Sequence, residues 1–180
     1  MPGMDSEKLS ARVKQPGHDR TFVVSEQGFL EAARGCLDPD LYEVLEKPRE
    51  LRDLFPPIEE ADRPLGVELE AVIVNRRTGR KLFVEVKKQG PNGNAEERAC
   101  KHHTVQFYKC VHERFGYNYH PIVTIMCESL ATMSRYTRKS VFYFEPDQYL
   151  NWVNYDPEIL CRYLRERCAA WLDEDLESEE

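Results

Sequence analysis

The stretch GVELEAVIVNRRTGRKLFVEVKKQ, Gly66 to Gln89, decides how the chain is read. GVELEAVIVN, Gly66 to Asn75, is rich in β-branched residues and reads as a strand. NRRTG makes a turn and KLFVEVKK, Lys81 to Lys88, reads as the returning strand, so the pair predicts a hairpin. Side chains alternate across a strand, which puts Glu85 and Lys87 on one face and Leu82, Val84 and Val86 on the other, towards a core. Pairing Asn75 with Arg80 across the intervening loop sets a register in which Glu70 stands directly opposite Glu85, their Cβ atoms roughly 5 Å apart.

Like charges directly opposite on a ladder are destabilising, so a fold avoids that pairing unless a cation or a lysine offsets it. Lys87, on the same face as Glu85, is placed to help. Two carboxylates also bind a magnesium ion that keeps several waters; such an ion polarises a phosphoryl oxygen and lowers the pKa of bound water. An ammonium beside it orients the attacking water and offsets charge in the transition state. Glu-x-Lys on a strand is, taken alone, more often a solvated ion pair, so the hairpin by itself leaves both readings open.

Outward from the hairpin, Gly93-Asn94 opens a helical pattern. Asn94 and Glu97 have the spacing of a capping box, and Phe107, Tyr108, Val111 and Phe115 repeat on one face. Upstream, Asp38-Pro39 reads as an N-cap and first helical residue, with Leu41, Tyr42 and Leu45 as an apolar stripe up to Pro48, which predicts a first helix. Downstream, Ile122 to Cys127 and Val141 to Phe144 are apolar, β-rich runs that predict further strands. Asp156-Pro157 caps a helix striped by Ile159, Leu160, Tyr163, Leu164, Cys168, Trp171 and Leu172. The fold class is therefore α/β, a mixed central β-sheet flanked by helices. Residues 21–172 form one domain, between a flexible leader over 1–20 and an acidic tail over 173–180.

A chain of 180 residues holds one compact domain with its own core. No apolar run nears the ~20 residues a membrane span needs. Residues 1–20 lack the apolar stretch of a secretory signal, so a cytoplasmic protein is expected. The six cysteines include no C-x-x-C pair and are expected as reduced thiols. The spacing of Cys100, His102, His103, Cys110 and His112 matches no structural zinc pattern. Tyr143, Phe144, Tyr149, Trp152 and Tyr155 are assigned to core and dimer packing rather than to base stacking. The net charge of -7 argues against a nucleic-acid partner, because neutralising phosphates takes Lys and Arg. Its distribution weakens the objection. The tail from Asp173 to Glu180 holds six carboxylates, whereas Arg76, Arg77, Arg80, Lys81, Lys87, Lys88, Arg98 and Lys101 crowd one middle segment.

Gly66 to Gln89, followed by GNAEERACK from Gly93 to Lys101, resembles the catalytic and recognition segments of the EcoRI/MunI-type type II restriction endonucleases of the PD-(D/E)xK nuclease superfamily. In that family a strand bearing Pro-Asp, a strand bearing Glu-x-Lys and a G-N-A-x-E-R motif follow in this order. The similarity extends through Glu46-Lys47-Pro48 upstream and over Val141 to Trp152 downstream. The resemblance implies a restriction-endonuclease-like fold, with Glu70 and Glu85 as metal ligands, Lys87 as the catalytic lysine and Glu46 as a looser match to an accessory acidic position. It further implies Asn94, Ala95, Glu97 and Arg98 as the segment that reads adenines, while the basic cluster offers Arg76, Arg77, Lys88 and Lys101 as phosphate contacts. The chemistry of base reading agrees: Asn pairs bidentately with adenine N6 and N7, Arg donates to a purine N7, and Glu accepts from an exocyclic amine.

The sequence also departs from the family pattern. Leu69-Glu70 stands where the family has Pro-Asp, and the added methylene enters a magnesium site that tolerates little misplacement. Glu68 is the alternative partner if the register slips. Asn92 precedes G-N-A where the closer relative carries an arginine, which leaves recognition outside the AATT core open. As a whole the resemblance implies a Mg²⁺-dependent homodimer that cuts double-stranded DNA at a palindrome with an AATT core, leaving 5′-phosphate ends. A cognate DNA methyltransferase is implied as its functional companion. Two alternatives stand beside it: a sequence-specific DNA-binding dimer of the same fold with impaired catalysis, and a nuclease that recognises DNA structure.

Overall fold

The computed structural model describes residues 18–59, 63–89, 94–117, 121–128 and 138–174. Its helices are α1 (His18–Cys36), α2 (Ala95–Ala99), α3 (Val105–Phe115), α4 (residues 138–143), α5 (Pro157–Tyr163) and α6 (Ala169–Asp173). One sheet runs in the order β1 (Tyr42–Glu46), β2 (Ala71–Asn75), β3 (Lys81–Gln89), β4 (Ile122–Glu128), β5 (Tyr149–Val153). The β1–β2 and β2–β3 pairs are antiparallel, and the β3–β4 and β4–β5 pairs are parallel. The sheet is mixed, as expected, and β3 is the strand where its sense changes. A parallel neighbour requires a crossover, and the one from β3 to β4 carries α2 and α3.

Both faces of the sheet are covered. Ile73, Val84, Ile125 and Trp152 pack against α1, through Phe29 and Ala33, and against the C-terminal helices, through Leu160 and Leu164. On the other face Val72, Phe83 and Ile122 meet Phe107 and Val111 of α3 together with Leu51 and Leu54. Alternation along β3 thus divides Val84 and Val86 from Phe83 and Glu85.

The hairpin forms in the expected register, with Ala71 opposite Val84 and Val74 opposite Lys81. Asn75 closes its turn: the Asn75 N–H donates to the Arg80 carbonyl, and its Oδ1 accepts from the N–H groups of Arg77 and Thr78. Gly79 supplies the positive φ of 73° that the turn needs. The C-terminal end of α6 clasps this turn. Asp173 Oδ1 accepts from the Tyr42 hydroxyl at 2.5 Å and from Asn75 Nδ2 at 2.7 Å, while Thr78 Oγ1 donates to the Leu172 carbonyl. Arg80, buried, donates to the Glu174 carboxylate at 3.1 Å. Asp173 and Glu174 therefore belong to the folded body rather than to a tail, and α1 begins inside the expected leader. Residues 1–17 and 175–180 lie outside the described residues.

Other elements correct the sequence reading. In place of a first helix, Asp38 makes a single turn, accepting from the N–H groups of Leu41 and Tyr42, and β1 follows. Tyr42 and Val44 are buried at a period of two, and this outweighs the helical spacing of Leu41, Tyr42 and Leu45. β2 starts only at Ala71; before it the chain bridges Leu65 to Phe55. At Gly66 a Cβ would run into the backbone of Leu51 and Arg52, so glycine is required. The expected helix after Asn94 is broken: Thr104 is extended and its Oγ1 accepts from the Phe107 N–H, starting α3 as a separate helix. Residues 141–143 are helical, with the Phe144 N–H donating to the Ser140 carbonyl, and the strand lies later, at β5. Asp156 caps α5 as expected, accepting from the Glu158 N–H.

Cys36 and Cys161 are disulfide-bonded across 125 residues, contrary to the expectation of six reduced thiols, and Cys100, Cys110, Cys127 and Cys168 are free. No spacing signals this pairing, because it arises where α1 packs on α5. Among the described residues no helix is long and apolar enough to cross a membrane. The clasp generates a stability prediction. Asp173→Ala strips two donors of their shared acceptor and is expected to lower unfolding free energy by about 1–3 kcal/mol, read as a shift in the urea midpoint at unchanged m-value.

Candidate active site

Glu70 stands where β2 gives way to irregular chain. Its N–H donates to the Val84 carbonyl at 3.1 Å, and its carbonyl accepts from the Lys47 N–H at 2.9 Å. Its side chain then turns onto β3, where Oε2 accepts from the Val86 N–H at 2.9 Å. The carboxylate thus occupies the ladder position that a further residue of β2 would fill. The other oxygen, Oε1, accepts from Lys87 Nζ at 3.0 Å, and the same ammonium lies 2.5 Å from Glu85 Oε1.

The Glu85 side chain is 3% exposed. Burial first, and then the negative charge of Glu70, push its carboxyl up to about 8, even though Lys87 pulls the other way. Lys87 is half-buried, which works against its charge, but the two carboxylates prevail and raise its pKa. The register leaves no place for Glu68 in this contact; Glu68 forms an ion pair with Arg52 instead.

The donor set is hard oxygen from two carboxylates pressed together, which suits a divalent cation that takes its remaining ligands from water. Among the described residues no group of three or more His, Cys, Asp or Glu side chains is arranged to hold a metal. Among the described residues the site thus rests on these two carboxylates. Glu85 and Lys87 open onto a cavity of about 450 Å³ that is also lined by Gly66, Glu68, Arg98, Lys101 and His102. Arg98, Lys101 and His102 reach it from the crossover and Gly66 and Glu68 from the chain before β2, so three separate stretches line the cleft around β3.

The remaining expected residues divide. Asn94 and Glu97 are exposed, and Glu97 accepts from Lys139 of α4 at 3.0 Å. The capping box is not formed: Asn94 occupies the N-cap position of α2 without a side-chain cap bond. Ala95 is buried rather than offered to a ligand, because α2 packs against β3. Lys88 follows Lys87 on the strand and so projects from the opposite face. Glu46 is opposite Ala71 on β1, is exposed and does not line the cleft; the helix expected to carry it is a strand.

Two residues that sequence reasoning passed over are closer. His102 is buried with Nδ1 3.9 Å from Glu85 Oε1. Glu26 of α1 is raised by burial and then by Glu70, with Lys47 and Lys87 opposing, which brings it within electrostatic range of the cluster. In the sequence His102 stands out only within a Cys/His cluster that fits no zinc pattern, and nothing marks Glu26.

A mixed sheet whose shared strand carries Glu-x-Lys, with a carboxylate at the end of the neighbouring strand, is the arrangement of a restriction-endonuclease-like nuclease. The chain belongs to the family described as type II restriction enzyme MunI, which it matches over residues 4–173, and with it to the type II site-specific deoxyribonucleases. Its fold is similar to that in the crystal structure of MunI restriction endonuclease in complex with cognate DNA, with a TM-score of 0.59 at 23% identity over 93% of this chain and 95% of that one. No curated protein matches the chain.

The buried carboxyl sets a pH dependence. Between the ordinary value of 4.5 and about 8, the folded state keeps a proton on Glu85 that the unfolded state has released. Raising the pH through that interval therefore lowers stability. Without divalent cations, Tm is expected to fall across this range through Glu85, and Glu85→Gln to reduce the fall. An identical pH profile in the variant would contradict the assignment.

Proposed function

We propose that the chain is a Mg²⁺-dependent type II restriction endonuclease that acts as a homodimer on double-stranded DNA, cutting both strands of a palindrome with an AATT core and leaving 5′-phosphate ends. The observation that carries this reading is that Glu70 and Glu85 share Lys87, with Glu85 and Lys87 opening onto a cleft also lined by Arg98 and Lys101. Glu70 and Glu85 would hold the ion, which when bound polarises a phosphoryl oxygen and acidifies a coordinated water.

The protein side of the chemistry follows from the charges. Burial and Glu70 keep a proton on Glu85 up to about pH 8 in the free protein, and to hold a cation Glu85 would have to release it. Lys87 keeps its proton at Nζ and offsets negative charge that develops on the phosphate. Lys101 attracts the DNA backbone to the same cleft, and Arg98 beside it donates to a purine edge. Asn94 and Glu97, exposed just after the cleft strand, supply the acceptors and donors that adenine edges require. A palindrome presents the same half-site twice, so a two-fold dimer brings one site to each strand. A companion DNA methyltransferase would protect matching sites in the host, and a cytoplasmic location follows from that role.

Incubation with a randomised palindrome library in Mg²⁺ is expected to yield cleavage at AATT-centred sites. Glu85→Ala and Lys87→Ala are each expected to slow cutting on the order of 10³-fold with sequence-selective binding retained. Selective binding without any cutting by the unsubstituted protein would point to the impaired dimer, and a preference for branched DNA to the structure-specific nuclease. Sedimentation equilibrium on the complex should give two chains per duplex site; one chain per site would remove the symmetric mechanism.

A further inference from the structure

Lys139 makes a contact that the function proposed above does not use. From α4 its Nζ donates to Glu97 Oε1 at 3.0 Å and stands 3.8 Å from Glu96 Oε1. Glu97 and Lys139 are both half-exposed, and an ion pair of that kind contributes little by itself. Glu96 is the opposite case. It is fully buried, and neither of its carboxylate oxygens has a hydrogen-bond donor among the described residues.

A buried carboxylate without donors is strongly disfavoured unless a cation lies close. The Lys139 ammonium is the cation beside it, too far for a hydrogen bond yet near enough to be held by charge. Glu96 thus draws a long, flexible side chain inward, and the hydrogen bond of that side chain falls on Glu97. Two neighbouring glutamates on α2 fix one lysine between them, and the lysine in turn fixes the outer glutamate.

We propose that Lys139 is a positioning residue for sequence readout: anchored by Glu96, it holds the Glu97 carboxylate ready to accept from an exocyclic base amine and screens it from the DNA phosphates. The inference rests on the reading of Glu97 as a base contact. A carboxylate approaching a polyanion is repelled, and an adjacent ammonium offsets that repulsion. A side chain already held in one rotamer also loses less freedom on binding.

The test compares binding of two duplexes without divalent cations: the palindrome the unsubstituted protein prefers, and a scrambled control. Lys139→Met is expected to reduce the preference for the palindrome about ten-fold. Lys139→Arg should restore most of it, and in a Glu97→Gln background Lys139→Met should have no further effect. An equal weakening of both duplexes with a shallower salt dependence would make Lys139 a phosphate contact and overturn the inference, as would an unchanged preference. An unsubstituted protein with no preference at all would strike the function proposal first, and this one with it.

Discussion

Glu70 and Glu85 meet where water is largely excluded, and two carboxylates in such a place repel one another unless a positive charge lies between them. Lys87 is that charge, 3.0 Å from one and 2.5 Å from the other. Much of the surrounding architecture serves to impose this contact. The hairpin register ends at Ala71 opposite Val84 and so delivers Glu70 to the edge of the ladder, and the core on the far side of β3 keeps Val84 and Val86 from rotating out. Burial and the neighbouring Glu70 still push the Glu85 carboxyl up. Buried groups whose surroundings displace their protonation are typical of sites that bind ions or move protons, although ordinary structural ion pairs produce shifts too.

A register so consequential needs to be held at its closed end, and the C-terminal clasp does that. Asp173 joins β1 and the hairpin turn through Tyr42 and Asn75, while Arg80 lies buried under Glu174. A slip of one residue would turn every side chain of β3 to the other face. It would carry Glu85 into the apolar core. The clasp and the paired glutamates lie at opposite ends of the same two strands, so the residues that fix the alignment are separate from those that use it.

Period-two alternation across a short loop made the hairpin and its register legible, because few alternatives satisfy both. The apolar run that became β4 and the Asp156-Pro157 cap of α5 were equally direct. Short apolar segments were not: β1 read as a helix, and residues 141–144 read as a strand while β5 went unseen, since such runs take their form from the sheet edge they meet. The error at β1 put Glu46 on a helix, whereas it stands on a strand. The Thr104 break and the burial of Ala95 depend on how α2 packs against β3. Contacts between distant elements, such as Cys36 with Cys161, Lys139 with Glu97 and Glu26 near Glu70, carry no local signature.

The length of the Glu70 side chain has a meaning beyond its charge. It spans the gap where β2 parts from β3, and its tip satisfies a backbone amide that the departing strand no longer reaches. Aspartate, shorter by one carbon, would have to choose between that amide and the lysine, or the two strands would have to run together for longer before separating. The point at which the ladder frays and the identity of the acid are therefore a single structural choice. Exchanging one acid for the other at position 70 alters the backbone as well as the charge.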